Sequence, residues 1–478
     1  MGPPGRGGLR GGVPPDRHSY PLTAGRWHHA GVDDIIDELE WRGLLAINTD
    51  KDELRRALSS GQVTMYGGFD PTAPGLHIGN LVLLVTLRRL QLAGHRPIGL
   101  VGGATGLIGD PSGKSSERVL NSRETVADWV ERIRSEVSRF LDFDAGEASA
   151  LIVSNLDWTG PMPVLEFLRD VGKHFSVNRM LDRESVKARL EGGGISYTEF
   201  SYQLLQANDY LELYRRYGCT LQVGGSDQWG NLVAGVGLIR SVEGASVHAL
   251  ATPLITKPDG TKYGKTEGGA IWLSPDLMSP YAFYQFWLNV SDAEVPGLLK
   301  VFSFRSRAEI EELARESAER PAARTGQRAL ATELTTLVHG EEETRRAIAA
   351  SQALFGRSDL TDVDERTLAA AVAEVPSAEV AWDSLFADRE TAGTPPGTAD
   401  PGGGPRTVAD LITEAGIASS KSAARRAINE GGAYLNNRKV TDVGAVPAPG
   451  DLLHGRYLIV RVGKRTVGAV EVTGAMSG

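Results

Sequence analysis

The chain has 478 residues, 41% of them hydrophobic and 23% charged, the balance of a soluble globular protein with buried cores, and its length suggests roughly three domains. Its formal net charge of −9 argues against nonspecific nucleic-acid binding by the molecule as a whole, and no run of about 18 apolar residues is present to span a membrane. A single cysteine, Cys219, excludes an internal disulfide and a cysteine-cluster metal site, which makes the cytoplasm the expected compartment.

Residues 1–31 are rich in Gly, Pro and Arg, carry no signal-peptide apolar stretch, and read as a disordered extension. "VDDIIDELEWRGLL" (Val32 to Leu45) and "KDELRRALSSG" then show apolar residues at helical spacing. "VTMYGGF" reads as a strand, "DPTAPGLHIGN" as the turn that follows it, "LVLLVTLRRLQLAGH" as a helix and "RPIGLVGGATGLIGD" as a second strand ending in glycines. Strand, helix and strand at this spacing predict a right-handed parallel crossover, hence a doubly wound, Rossmann-like α/β sheet that binds ligands beyond the carboxyl ends of its strands. Downstream, "YTEFSYQLLQANDYLELYRRYG" is helical and "TLQVGGSDQWGNLVAGVGLIRS" is a strand, loop and helix. "LATPLITKPDGTKYGKTEGGAIWL" is a strand followed by a Gly/Lys loop.

From about Pro280 the texture changes to helices, which sets boundaries at 32–280 for the α/β domain and 281–391 for an α-helical one. Residues 392–405 have the composition of a flexible linker. Residues 406–478 form a small α+β segment with ten Lys and Arg against six Asp and Glu, so this segment is +4 and the remainder of the chain −13. A local basic module on an acidic body is the pattern of a chain that meets a polyanion at one place.

Two short stretches carry chemistry. His77 and Asn80 stand at the start of a helix, where backbone amides and the positive end of the dipole suit a phosphate. Lys262 and Lys265, with Thr266, lie on a glycine-rich loop able to clamp a polyphosphate. "GDPSGKS" suggests a P-loop, but that signature needs four residues between its glycines and only three separate Gly109 from Gly113.

"HIGN" resembles the HIGH signature, and "KYGKT" the KMSKS signature, of class I aminoacyl-tRNA synthetases. "YGGFDPTAPGLHIGN", "LVGGATGLIGDPSGK", "TEFSYQLLQANDY", "GGSDQWGN" and "TKYGKTEGG" closely resemble bacterial tyrosyl-tRNA synthetases, and the match runs from about Val32 to Val472. The resemblance implies a Rossmann-like catalytic domain, an anticodon-binding helical domain and a C-terminal RNA-binding domain. It implies that Tyr66 and Asp209 bind the substrate phenol, that Asp110, Tyr202 and Gln206 hold its ammonium group, and that Gln228 lies near its carboxylate. For ATP it implies Gly68, Asp70 and Thr72 in the nucleotide turn, His77 and Asn80 on phosphate or ribose, Gly225 and Asp227 on ribose, and Leu254 and Ile255 against adenine. Lys262, Lys265 and Thr266 would close on pyrophosphate, assisted by Lys114 and Arg118 on a second basic loop.

The implied reaction is activation of L-tyrosine by ATP, followed by transfer to the 3′ end of tRNA(Tyr). Magnesium would arrive with ATP and no dedicated metal cage is expected. Lys421, Arg425 and Arg426 would touch RNA phosphates. "FLRDVGKHFSVNRML" (Phe167 to Leu181) resembles a subunit interface, so a homodimer is expected. The chain departs from the family pattern at Asn80, which replaces a second histidine, at Gly67, which stands where cysteine is frequent, and in its N-terminal extension. A tryptophanyl enzyme shares the fold and both signatures, but "QANDY" with Tyr66 favours a phenol ligand. A non-catalytic RNA-binding descendant would be expected to lose the signatures, which here remain usable.

Overall fold

The computed structural model describes residues 34–112, 121–256, 260–261, 263, 265–266, 269–386 and 406–474. The extension at 1–31, the linker at 392–405, the residues Lys114, Arg118 and Lys262, and the side chains of Lys265 and Thr266 lie outside the described residues.

The first sheet comprises β1 (Ile47–Asn48), β2 (Thr64–Phe69), β3 (Arg96–Val101), β4 (Leu151–Ser154), β5 (Cys219–Gly225) and β6 (His248–Thr252). Their spatial order is β1-β6-β5-β2-β3-β4; β2 to β6 run parallel, and β1 closes one edge antiparallel with Ile47 opposite Ala251. Strand pleating sends alternate side chains to opposite faces. Met65, Phe69 and Val101 join one apolar cluster with Leu81, Leu84 and Val137, whereas Tyr66, Ile98 and Leu100 join another with Ala207, Leu211 and Leu238. Helices therefore cover both faces, and the order reverses between β2 and β5, where a doubly wound sheet opens its ligand crevice.

Two helix ends show how local sequence sets this geometry. The helix Tyr197–Tyr217 begins at Ser196, whose side chain accepts the Glu199 amide at 3.3 Å, and stops at Gly218 with φ 64°, a left-handed conformation that suits glycine. At Gly67 the constraint is space: a Cβ there would meet Leu87 Cδ1 at 2.9 Å and both Leu83 methyls at 3.2 Å. Close packing of the Ile78–Leu92 helix on β2 thus accounts for glycine at this departure from the family pattern.

Beyond the α/β region lie short β7 (Lys265–Thr266) and β8 (Gly269–Ala270), and then the helices Pro280–Leu288, Val295–Phe302, Arg307–Glu319, Thr325–His339, Glu341–Leu354 and Glu365–Val372. The second large sheet is built from β9 (Ser377–Ala381), β10 (Ala433–Leu435), β11 (Arg438–Lys439), β12 (Tyr457–Val462) and β13 (Thr466–Thr473), in the order β11-β10-β12-β13-β9. The segment 281–391 is accordingly not helical throughout: β9 pairs parallel with β13, Ala469 opposite Ser377, and belongs to the C-terminal sheet. "SAEVA" is short and only Val380 is buried, so its strand character depends on a partner far along the chain. The C-terminal sheet also packs against the helical region: Leu453, Tyr457 and Ile459 share an apolar cluster with Leu360, Val363 and Leu368, and Asn437 Nδ2 donates to the Ala353 carbonyl at 2.6 Å. Among the described residues no helix is long and apolar enough to cross a membrane.

Candidate active site

A cleft of ≈ 600 Å³ opens where β2, β3, β5 and β6 end. Its lining includes Tyr66, Gly68, Asp70, Thr72, His77, Asn80, Asp110, Tyr202, Gln206, Asp209, Gly225, Asp227, Gln228, Leu254 and Ile255, every residue that the sequence assigned to tyrosine or ATP and whose side chain is described. Lys265 and Thr266 are described as strand: β7 pairs with β8, and Ala270 of β8 lines the cleft.

One end of the cleft is a buried polar arrangement. Asp209 is 1% exposed; its Oδ1 accepts Trp158 Nε1–H at 2.8 Å and its Oδ2 accepts Asn155 Nδ2–H at 3.0 Å. Burial pushes its carboxyl up to about 7 against those two donors, with Asp70 and Glu212 adding to the rise. The Tyr66 hydroxyl is buried with no hydrogen-bond partner among the described residues, an arrangement that costs roughly 1–3 kcal/mol unless a ligand supplies the missing bond. Burial and the Asp209 charge push that phenol well above its ordinary value, so it acts as a neutral donor.

The next layer links the two ends. Tyr202 OH donates to Asp70 Oδ2 at 2.5 Å, Thr105 Oγ1 donates to Asp70 Oδ1 at 2.7 Å, and Asn155 Nδ2 is 3.0 Å from Thr105 Oγ1. Asp70 is thus connected through Thr105 and Asn155 to Asp209. Gln228 Nε2 donates to Asp110 Oδ2 at 2.7 Å, and Asn231 Nδ2 donates to Gln228 Oε1 at 2.8 Å, so the amide is oriented before any ligand enters.

Elsewhere along the cleft, His77 caps the helix Ile78–Leu92. Its Nδ1 accepts the Gly79 amide at 3.0 Å, which fixes the neutral tautomer with its proton on Nε2. Asn80 Oδ1 accepts the His77 amide at 3.0 Å, leaving the carboxamide nitrogen as a donor. Asparagine at this position therefore serves the reciprocal capping box as well as offering a donor near the helix N-terminus.

Asn155, Trp158 and Thr105 escaped the reading of the sequence. Asn155 directly follows β4 and Thr105 lies just beyond β3, so position at a carboxyl strand end was the available signal. Trp158 offered none, since an isolated tryptophan usually marks packing. Elsewhere, Arg425 and Arg426 are exposed on the helix Lys421–Asn429, while Lys421 is ion-paired with Asp410. In the segment expected at a subunit interface, Leu168 is 46% and Val177 57% exposed, and the preceding Val164 and Leu165 are 68% and 77% exposed.

Comparison with known proteins agrees with the geometry. Residues 58–356 match the family model for class I tRNA synthetases of the W and Y type, and residues 393–468 match the SYY-like C-terminal domain of tyrosine–tRNA ligase. The tyrosine–tRNA ligase of Streptomyces coelicolor is 60% identical over 92% of this chain and 100% of its own length, and that of Thermobifida fusca is 57% identical over 91% and 99%. The C-terminally truncated mitochondrial tyrosyl-tRNA synthetase of Aspergillus nidulans superposes with a TM-score of 0.61 at 31% identity, covering 66% of this chain and 92% of that one. With matches of that extent across both sheets, the chain belongs to the tyrosine–tRNA ligase family of class I tRNA synthetases.

Proposed function

We propose that the chain activates L-tyrosine with ATP, giving tyrosyl-adenylate and pyrophosphate, and then transfers the tyrosyl group to the 3′ end of tRNA(Tyr). The observation that carries this reading is the buried Tyr66 hydroxyl, without a hydrogen-bond partner among the described residues, lining the same cleft as the fixed Asp209 carboxylate. A phenol satisfies both, accepting from Tyr66 and donating to Asp209, whereas a phenyl ring leaves both desolvated and unpaired. An indole presents one donor and no acceptor, which disfavours tryptophan for the same reason.

In the first step the tyrosine carboxylate attacks the α-phosphorus in line and the bond to pyrophosphate breaks. In the second, a ribose hydroxyl of the RNA attacks the adenylate carbonyl and AMP leaves. No protein nucleophile is required, and the chain contributes orientation and charge stabilisation. Asp110, Tyr202 and Gln206 offer acceptors to the ammonium, and Gln228 lies beside them near the carboxylate. Gly68, Asp70 and Thr72 form the nucleotide turn, with Gly225 and Asp227 toward ribose and Leu254 and Ile255 toward adenine. The His77 Nε2–H and the Asn80 amide are donors to phosphate, and Lys262, Lys265, Thr266, Lys114 and Arg118 neutralise the pyrophosphate leaving group. Magnesium enters bound to ATP.

The same reading places Arg425, Arg426 and Lys421 against RNA phosphates, makes 281–391 the anticodon-binding region apart from β9, and puts the enzyme in the cytoplasm, where tRNA is charged. The exposed Val164, Leu165, Leu168 and Val177 support a homodimer. ATP–pyrophosphate exchange tests the first step: tyrosine should support exchange, phenylalanine and tryptophan should not, and Asp209→Ala should raise the relative use of phenylalanine. Equal exchange with all three amino acids would remove the assignment.

A further inference from the structure

The His77 turn is held from behind by a carboxylate that does not line the cleft. Glu136, near the end of the helix Arg123–Ser138, is 6% exposed, and its Oε2 accepts the Leu76 amide N–H at 2.7 Å, one residue before His77. The approach is close on the neighbouring residue as well: a Cβ on Gly75 would meet Glu136 Oε1 at 2.9 Å. On the other side, the Leu76 carbonyl accepts the Leu273 amide at 2.9 Å, the Ile78 amide donates to the Ile271 carbonyl at 2.9 Å, and His77 bridges antiparallel to Trp272. The main chain carrying His77 is thereby held from three sides: by the segment that continues from β8, by the Asn80 carboxamide of the helix it caps, and by the single buried side chain of Glu136.

A buried carboxylate is a costly choice for a merely structural acceptor, since a backbone carbonyl or a hydroxyl would satisfy one amide with less desolvation. Burial raises the Glu136 carboxyl, against the Leu76 amide and the charges of Arg139 and Arg132, and Asp276 raises it further. What a carboxylate at the end of a three-bond arm supplies is a charge-assisted bond of fixed length to one particular amide.

We propose that Glu136 is a positioning residue for adenylate formation, acting through the Leu76 amide to set where the His77 imidazole meets the phosphates of ATP. This rests on the reading of His77 as a phosphate donor. Misplacement of a reacting group by about 1 Å can cost on the order of 10²-fold in rate, so partial misplacement after loss of one of these restraints is expected to cost about tenfold.

The test is a double-mutant cycle in full-length protein, read by ATP–pyrophosphate exchange. Glu136→Ala should lower kcat about tenfold with the KM for tyrosine within about twofold, because the phenol end of the cleft is untouched. Glu136→Gln, whose neutral amide oxygen still accepts the Leu76 N–H but without the charge, should have a rate between those of the parent and Glu136→Ala. In a His77→Ala background, Glu136→Ala should cost less than about twofold, since the group it positions is gone. A tenfold loss that persists without His77, or a Glu136→Gln enzyme as slow as Glu136→Ala, overturns the proposal. If His77→Ala is slow while Glu136→Ala keeps the full rate, this inference falls and the reading of His77 stands. If His77→Ala itself keeps the full rate, both fall.

Discussion

The cleft proposed to take ATP and the C-terminal module proposed to touch RNA arrange their charges in opposite ways. The cleft is lined by Asp70, Asp110, Asp209 and Asp227, and three of these accept hydrogen bonds from named side chains, at Asp70 from Tyr202 and Thr105, at Asp110 from Gln228, and at Asp209 from Asn155 and Trp158. The C-terminal segment carries +4 over a chain that is otherwise −13, and Arg425 and Arg426 stand exposed on a short helix. Of the cleft carboxylates, Asp110 and Asp209 are buried, and a buried group acts through geometry, so its contribution is expected to be nearly insensitive to salt. Exposed charges act by adding to a field, so each is replaceable and screened.

The largest effect that should separate the two regions comes from the lysine loop. Lys265→Ala is expected to lower pyrophosphate exchange about 10²-fold, as loss of one preorganised group at a developing charge does, and to lower tRNA charging as much, because no adenylate is left to transfer. Charging that survived while exchange was lost would break the proposed order of steps. Ending the chain after Ala392 should do the reverse, keeping exchange within about twofold while lowering charging at least about tenfold at moderate salt. That truncation also strips β9 of its partner β13 and uncovers Leu360, Val363 and Leu368, so a lower thermal midpoint is expected alongside intact exchange. Rapid filter assays of both half-reactions on one preparation would check the pair.

Asp209 gives a smaller, pH-dependent contrast. Its carboxyl is pushed from 3.8 up to about 7 in the folded chain, so between those values the folded state holds a proton that the unfolded state has lost. Folding stability therefore falls as pH rises through this window. Asp209→Asn cannot lose that proton, and its thermal midpoint relative to the parent should rise by a few degrees, on the order of one pKa unit of linkage or more, between pH 4 and pH 8. Tyrosine, whose phenol donates to the ionised form, should bind more tightly as pH passes about 7. A midpoint difference independent of pH would show that the buried carboxylate is ionised throughout.

How much of this was legible in the sequence follows the same division. The turn residues of the cleft were readable because turns at strand ends need Gly, Pro, Asp and His in patterns that a helix or strand interior does not tolerate, as in "YGGFDPTAPGLHIGN", whereas Tyr66 in its strand and Tyr202, Gln206 and Asp209 inside a helix were singled out only by the resemblance to the family. Supporting residues were not. Asn155, Thr105 and Glu136 make their hydrogen bonds across long sequence separations, and nothing in their neighbours announces the partners. β9 was hidden for the same reason, since its strand character comes from Thr466–Thr473. Gly67 shows the converse: its identity was visible, but the reason, the methyls of Leu83 and Leu87, required the packed helix.

The smallest expected effect is the most diagnostic for the C-terminal module. Arg425 and Arg426 lie exposed on one helix whose contribution to the module's core comes from Ala424 and Ile428. Replacing either with Ala should leave exchange unchanged and weaken RNA binding only slightly at low salt. If each contacts one phosphate, each replacement should reduce the slope of log affinity against log salt by about 0.7–0.9. Lys421 is ion-paired with Asp410, so breaking that pair to contact RNA offsets part of its gain, and Lys421→Ala should change the slope less than either arginine does. A Lys421 effect equal to that of the arginines would mean that the Asp410 pair opens when RNA binds. An unchanged slope for all of them would move the RNA contact to another face of the module, while leaving the chemistry of the cleft as assigned.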